Sequence, residues 1–377
     1  MNKTNLRYKA ARICEVIGQR AYYRQRVILR KMWMEANYKV KKKKAGGYHL
    51  SPADEAEIER VWKGFKVDKD WFRFYNSIDR GREEAFDARY VPLDIQYCVV
   101  DEWFNESLEA HLMDDKNMYD LYFGDVCRPK TVLHIIDGVV LDDGYNEISI
   151  DEAATLCAKQ KAVICKPSIE TSCGTGIFFW RVEDGMEELK ESLKQCDNYI
   201  VQEVVRQHSS ITSLHEKSVN TIRIVTCAFN GTTEVLSTVV RFGSGDSVVD
   251  NASKGGLFCG VSDDGRLKRN AYTKTGDVYR DHPLGGDFSQ CVIPNFDKCK
   301  EMVLWLSHRF HRISKLTSWD LAIREDGEPV LIEVCLCYGG ADIHQIANGP
   351  LFGDKTEAVL AAVGSSRKYR RRSYRKK

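Results

Sequence analysis

SWDLAIREDGEPVLIEVCL, residues 318–336, consists of two apolar runs joined at Asp326-Gly327. Asp-Gly between apolar runs is a strong hairpin turn, so two antiparallel strands are expected here. Each run carries one acid among apolar neighbours: Asp320 beside Trp319, Leu321 and Ala322, and Glu333 beside Leu331, Ile332 and Val334. A carboxylate inside an apolar strand is costly unless it is paired or binds a cation. The turn brings the two acids close across the ladder. Two carboxylates held together suit Mg2+, which prefers carboxylate and phosphate oxygens. A solvent-facing strand edge or an arginine partner would satisfy them as well.

Working outward, SVNTIRIVTCAF (218–229) and TEVLSTVVRFG (233–243) read as a second antiparallel pair. Arg223 stands among Ile222, Ile224 and Val225, which suggests a guanidinium fork fixed for a carboxylate or phosphate, or an internal ion pair. The loop that follows, within RFGSGDSVVDNASKGGLFCGV (241–261), carries Arg241, Asp250-Asn251 and Gly255-Gly256. It reads as a lid over phosphate or as a long hairpin connection. Farther upstream, KPSIETSCGTGIFFW (166–180) places Lys166 at the end of a short apolar strand, before a loop with Gly174 and Gly176. Such glycines let backbone N–H groups approach an anion closely. The loop is no Walker A motif, because no Lys-Ser/Thr pair follows its glycines and a strand comes next. A plain hairpin with a surface lysine gives the same pattern.

The rest of the chain is read from periodicity and caps. Residues 5–37 place Ile13, Val16, Ile17, Tyr22, Tyr23, Val27 and Ile28 at helical spacing among basic residues, which predicts a long amphipathic helix. KKKKAGG (41–47) reads as a linker and residues 52–124 as mostly helical. VLHIIDGVVL reads as strand and turn, and SIDEAATLCAKQKA as a helix capped by Ser149 or Asp151. GMEELKESLKQC reads as a helix, NYIVQEVV as a strand, and NFDKCKEMVLWLSHRFHRI as an amphipathic helix. The fold class is therefore α+β, with an α-rich N-terminal part before antiparallel pairs.

The 377 residues carry 43% hydrophobic and 29% charged residues, a composition of folded soluble chains. No segment reaches the roughly 18 apolar residues of a membrane helix, and the N-terminus has no apolar signal core. Thirteen scattered cysteines with no CxxC pair suggest reduced thiols in a cytoplasmic compartment. The whole chain carries +2, residues 1–44 carry +12 and residues 367–377 carry +8, so residues 45–366 carry −18. Basic ends on an acidic body suit a solvated helix and tail, or contact with anionic lipid such as the inner membrane face, polysaccharide or nucleic acid. No specific nucleic-acid motif is present.

The order of motifs resembles the ATP-grasp superfamily, most of all its sugar-transfer-associated branch, over roughly residues 110–360. That order is a lysine, a Gly loop, a strand with Gln-Glu, NTxR, RxG with DN and GG, then an acid on each of two strands. The resemblance implies an ATP-grasp fold, two α+β subdomains gripping ATP. Residues 1–47 would be the basic helix and linker, 48–125 an α-rich region, 126–364 the ATP-grasp domain with a lid at about 150–205, and 365–377 a basic tail. It implies Lys116 and Lys166 at the phosphates, with Ser172, Gly174, Thr175 and Gly176 in the loop over the triphosphate. It implies Gln202, Glu203 and Val205 at the adenine and His208 at the ribose. Arg223, Arg241 and Asn251 would be catalytic, and Asp320 and Glu333 would hold Mg2+ or Mn2+. The family pattern ends in Glu-x-Asn, whereas this chain reads Glu333-Val334-Cys335, and a thiol is a poor Mg2+ ligand. The implied activity is an ATP- and Mg-dependent ligase that joins a small carboxylate to an amine or thiol through an acyl phosphate, in surface polysaccharide biosynthesis. A sugar or polyol kinase of the same fold, or a nucleotide-binding protein of a polysaccharide assembly, uses the same residues.

Overall fold

The computed structural model describes residues 12–14, 17–18, 21, 28, 32, 41, 45, 47–81, 85–105, 110, 113–169, 174–247, 250–281 and 287–366. The helix expected over 5–37 and the linker at 41–47 lie largely outside the described residues, and Ser172 and the tail at 367–377 lie wholly outside them. No helix among the described residues is long and apolar enough to cross a membrane.

The chain divides into two compact units. One comprises Met1–Ser77, Phe86–Trp103 and Asp354–Lys377. Its helix α1 (Pro52–Val61) starts at a capping box, in which Ser51 and Asp54 satisfy each other's backbone N–H. Helix α2 (Asp70–Asn76) buries Trp71, Phe72, Phe74 and Tyr75. Tyr75 stacks on Tyr90 at 5.0 Å, and the Trp62 indole donates to the Ala88 carbonyl at 2.7 Å. The C-terminal helix Thr356–Ser365 belongs to this unit, although the motif order assigned it to the block ending at 364. The space at Gly364 ends on the Phe65 ring at 3.6 Å, and Arg60 reaches Glu357 at 2.9 Å.

The other unit, Ile78–Ala85 and Phe104–Gly353, holds two antiparallel sheets. The five-stranded sheet runs β2-β1-β5-β3-β4. Its strands are β1 (Thr131–Ile136), β2 (Val139–Leu141), β3 (Ala162–Pro167), β4 (Phe178–Arg181) and β5 (Tyr199–Glu203). Asp137 and Gly138 both take positive φ in the β1–β2 turn, the geometry of a tight primed turn. β3 and β4 pair over the Gly loop, with Ala162 opposite Arg181 and Cys165 opposite Phe178. Helices α3 (Ile150–Lys159) and α4 (Met186–Lys194) supply Ala153, Ala154, Cys157, Leu189 and Leu193 to the core of this sheet. Ser149, not Asp151, caps α3, through a capping box with Glu152.

The seven-stranded sheet runs β10-β9-β8-β7-β6-β11-β12. It is built from β6 (Thr221–Phe229), β7 (Thr232–Phe242), β8 (Leu257–Val261), β9 (Leu267–Tyr272), β10 (Val278–Tyr279), β11 (Leu316–Ile323) and β12 (Pro329–Cys335). Strand residues alternate between the two faces. Ile222, Ile224, Val240, Phe242, Trp319 and Leu321 form one core with helix α5 (Phe296–Arg309). Arg223, Arg241 and Asp320 fall between them and take the opposite face. Helix α6 (Ala341–Asn348), which periodicity did not reveal, packs over β7, β8 and β9. It meets the face of Arg223, because the His344 Nδ1 lies 2.9 Å from the Ser237 hydroxyl, and Ser237 shares a face with Val239 and Arg241.

Asn220 is fully buried where β6 begins. Its amide donates to the carbonyls of Ile211 at 2.8 Å and His215 at 2.9 Å, its side-chain oxygen accepts from Ser218 at 3.0 Å, and its N–H donates to Gln207 at 2.9 Å. The motif asparagine is thus a clamp that sets the start of the strand carrying Arg223. Asn220→Ala leaves these buried groups without partners, and the expected cost is about 2–3 kcal/mol. Urea denaturation measures it; an unchanged midpoint would refute the clamp.

Candidate functional site

The hairpin of β11 and β12 places Asp320 opposite Glu333, and the pairing of β11 with β6 places Asp320 opposite Arg223. One row across the sheet therefore reads Val239, Arg223, Asp320, Glu333. Asp320 is 1% exposed. Arg223 grips it with two parallel bonds, Nε to Oδ1 at 2.7 Å and Nη2 to Oδ2 at 2.7 Å. Arg241 adds Nη2 to Oδ2 at 2.8 Å. Arg241 also donates to the Thr221 hydroxyl from Nε at 3.0 Å and from Nη2 at 2.7 Å, while Thr221 donates to Asp250 through both its hydroxyl and its N–H. Burial works against the Asp320 charge, but Arg223 and Arg241 outweigh it and hold the carboxyl below its usual range.

Glu333 is paired differently. Its Oε1 lies 2.9 Å from Lys116 Nζ, and its side chain is 35% exposed. Burial and the Asp320 charge push its pKa up, while Lys116 and Arg223 bring it net below the usual value. Lys116 opens the turn Lys116–Met118, in which Asp115 caps the Asn117 N–H. The Lys116 N–H donates to the Ser168 carbonyl at 3.0 Å. Asn117 donates to the Ile135 carbonyl at 3.1 Å, and its oxygen lies 3.1 Å from His134 Nδ1. The lysine backbone is thus tied to the five-stranded sheet while its ammonium reaches the seven-stranded one. Burial opposes the Lys116 charge, and Glu333 more than offsets this, so its pKa is raised.

Lys166, at the end of β3, donates to Gln202 Oε1 at 3.1 Å. Among the described residues it has no carboxylate partner. Burial first, and then the charge of Lys116, push its pKa down to about 8. Gln202 thus partners the lysine, and its Nε2 donates to the Pro129 carbonyl at 3.4 Å. Glu203 accepts from the Lys130 N–H at 3.0 Å, and Val205 lies on the connector leaving β5. His208 caps the short helix Ser209–Thr212 by accepting from Ser210 N–H at 3.3 Å. Asn251 caps the turn Ala252–Lys254 by accepting from Ser253 N–H at 2.8 Å. Gly174 and Gly176 have positive φ, and the Gly176 carbonyl accepts from the Tyr199 hydroxyl at 3.2 Å. A Cβ on Gly176 would meet Pro167 at 2.9 Å, so this turn, with exposed Thr175 at its tip, needs glycine there.

The structure therefore brings Lys116, Lys166, Arg223, Arg241, Asp320 and Glu333 together. It also adds groups that motif order did not single out. Thr221 relays Arg241 to Asp250. His344 is fully buried on α6, and burial followed by the charges of Arg223 and Arg241 pushes its pKa down to about 3, so it is neutral. Gly339 and Gly340 lead into α6. A Cβ on Gly339 would sit 1.9 Å from the Ser318 hydroxyl, and one on Gly340 would sit 3.1 Å from Arg223 Nη1. The signal for this approach was the Gly-Gly pair itself. For a hard divalent cation the donor that fits is the Glu333 carboxylate, which is one-third exposed. Both oxygens of Asp320 are already bonded to guanidinium groups, and Cys335 offers a soft sulfur 3.9 Å from Arg223 Nη2. No cluster of three or more His, Cys, Asp or Glu poised around a cation occurs among the described residues.

Comparison with known proteins locates this site in a family. The family model for sugar-transfer associated ATP-grasp proteins matches residues 101–360, most of the chain and every residue of the charged cluster. No curated protein matches the chain. Among solved structures, D-alanyl-alanine synthetase A from Vibrio cholerae is similar at 14% identity and a TM-score of 0.39, covering 70% of this chain and 64% of that one. D-cycloserine synthetase DcsG is similar at 12% identity and a TM-score of 0.39, covering 68% of this chain and 72% of that one. The chain thus spans less than two thirds of the length of the first. With Lys116, Lys166, Arg223, Asp320 and Glu333 gathered inside the matched segment, this chain belongs to the sugar-transfer associated ATP-grasp family.

Proposed function

We propose that this protein binds ATP at the Lys116–Lys166–Arg223 cluster and uses it to join a small carboxylate to an amine. The observation that carries this reading is the clustering of four cationic side chains, three on the two sheets and one on the Lys116 turn, with Lys166 lacking a carboxylate partner among the described residues. Phosphates are the ligands such a cluster suits. Lys116 and Lys166 bind the α- and β-phosphates, and the Gly174–Gly176 turn closes over the triphosphate with backbone N–H groups. The connector after β5 takes the adenine. The acid's carboxylate oxygen attacks the γ-phosphorus, the bond to the β-phosphate oxygen breaks, and ADP leaves with an acyl phosphate formed. The amine then attacks the acyl carbon, phosphate departs with the C–O electron pair, and the amine proton passes to solvent. Arg223 and Arg241 orient the reacting carboxylate and hold charge on the transferring phosphoryl group. Glu333 would hold a divalent cation, which would supply further charge neutralisation to the phosphates. The surface-polysaccharide setting rests on the family's description alone.

The test is ADP release with Mg-ATP and panels of amino acids, uronic acids and amines, with hydroxylamine as trap. A carboxylate that triggers both ADP release and a hydroxamate supports the ligase. A stable phosphorylated sugar with no hydroxamate establishes a kinase instead. Lys166→Ala and Glu333→Gln are each expected to weaken ATP binding at least tenfold with unchanged circular dichroism; unaltered affinity in both removes the site assignment.

A pH test follows from Lys166. Its folded pKa of about 8 lies below that of a free lysine, and phosphate binding favours the charged form. ATP binding therefore takes up a proton as pH rises through 8, about half a proton at pH 8 and about a tenth at pH 7. Affinity falls above pH 8 by up to about tenfold per pH unit. Calorimetry in buffers of different ionisation enthalpy reads this, and in Lys166→Ala the uptake disappears. Equal apparent enthalpies in all buffers at pH 8 for the unaltered protein would contradict it.

The charged ends support a second contact, an anionic membrane surface. Residues 1–44 hold 14 Lys or Arg against Glu15 and Glu35. Cosedimentation with phosphatidylserine vesicles is expected at 50 mM salt and lost at 500 mM, and deletion of residues 367–377 weakens it. Salt-independent binding, or none, goes against this contact.

A further inference from the structure

Resting on the ATP reading, the arrangement around Asp320 leads to a count of metal ions. A divalent cation that bridges nucleotide phosphates needs oxygen donors from the protein. Asp320 is engaged on both oxygens: Oδ1 accepts from Arg223, Oδ2 accepts from Arg223 and Arg241, and the residue is 1% exposed. Glu333, in the same row of the sheet, is open, with 35% of its side chain exposed and one lysine on Oε1. Two residues on, Cys335 presents sulfur, a soft donor that Mg2+ does not favour, and Arg223 Nη2 lies 3.9 Å from it. The guanidinium thus lies between Asp320 and Cys335, the two side chains that would have to join Glu333 to hold a second cation. Gly340 keeps that position open to the guanidinium, since a Cβ there would stand 3.1 Å from Nη1.

We propose that the site takes a single divalent cation with its nucleotide, held by Glu333, and that Arg223 fills the place of a second cation. A guanidinium suits that task. It stays charged at every working pH, and its donors form a rigid fork that matches carboxylate and phosphate oxygens. Unlike a metal, it is already in place before the nucleotide arrives. Drawing Asp320 onto a metal would break three charge-assisted hydrogen bonds in a buried site, which opposes the exchange.

The test uses the full chain saturated with ADP or a non-hydrolysable ATP analogue and titrated with Mn2+. Electron paramagnetic resonance counts bound Mn2+, and equilibrium dialysis counts bound nucleotide in the same sample. One Mn2+ per bound nucleotide is expected, and two would overturn the inference. Cys335→Asn adds an oxygen donor but leaves Asp320 held, so its count is expected to stay at one; a rise to two in this variant would show that Arg223 does not exclude the second ion. In the double variant Arg223→Gln with Cys335→Asn the count is expected to reach two. Bound nucleotide with no bound Mn2+ refutes this inference alone, whereas a sample that retains no nucleotide refutes the ATP reading and this inference with it.

Discussion

The carboxylate of Asp320, held by Arg223 and Arg241, is the interaction on which this site depends. It joins three strands that meet only through the fold: Arg223 on β6, Arg241 on β7 and Asp320 on β11. A buried carboxylate with no partner would be neutralised or would unfold the sheet locally. With two guanidinium groups it stays charged, and its pKa lies below the usual range in spite of burial. The register of the central strands then serves two ends at once. A one-residue slip would turn Arg223 into the α5 core and Ile222 or Ile224 onto the charged face. The apolar face and the ion pair therefore specify the same alignment, and the site geometry follows from the packing of the opposite face.

The two lysines are positioned by another device. Lys116 sits on a turn that Asn117 pins to β1 and that the Ser168 carbonyl pins to the end of β3. Three residues on, Tyr119 is buried in the core of the seven-stranded sheet with Phe123. The segment 116–123 is therefore shared between the two sheets, and the Lys116–Glu333 pair is the ionic contact between them beside it. Lys166 comes from the neighbouring strand end and meets an amide where Lys116 meets a carboxylate. The difference in partner accounts for the difference in pKa: Lys116 is raised and Lys166 is depressed to about 8, although burial opposes both charges.

Much of this was legible in the sequence, for identifiable reasons. The hairpin carrying Asp320 and Glu333 announces itself through Asp326-Gly327, and period-two alternation puts Arg223 on the face that Ile222 and Ile224 avoid. Both signals are local. What the arginines meet is not local, because residues 223, 241 and 320 are joined by strand pairing across nearly a hundred positions. An ion pair and an anion site therefore look identical in sequence. The partner of Gln202 is non-local in the same way. Gln202 lies on β5 beside β3, and only the order β5-β3 shows that its amide meets Lys166. Asn220 belongs to a motif, yet its four hydrogen-bonding partners make it a clamp. Helix α6 escaped because Ala341–Asn348 is only about two turns long, too short for the spacing of Ile343, Ile346 and Ala347 to repeat. The grouping of the C-terminal helix with α1 depends on Phe65 and Arg60, some three hundred residues upstream.

The pairing of charges within the site also explains how so many cations can stand close together in a protein interior. Two like charges about 4 Å apart repel by roughly 4 kcal/mol at the effective dielectric of such sites, so a bare cluster of lysines and arginines would disperse or lose protons. Lys166 shows the onset of that loss: among the described residues its ammonium bonds an amide, Gln202, and no carboxylate, and burial and the charge of Lys116 push its pKa down to about 8. Glu333 and Asp320 prevent it elsewhere by lending negative charge. They do so unequally: Asp320 is sealed under two bidentate-capable groups, whereas Glu333 is open and holds one lysine through one oxygen. An incoming polyanion would thus find one fixed half of the site and one exchangeable half. In the proposed ATP reading, phosphate replaces Glu333 on Lys116 and completes Lys166, while Asp320 keeps the register of the strands that carry Arg223 and Arg241. On that reading the ion pair that must break is the exposed one, Lys116–Glu333, and the pairs that fix the strand register are the buried ones.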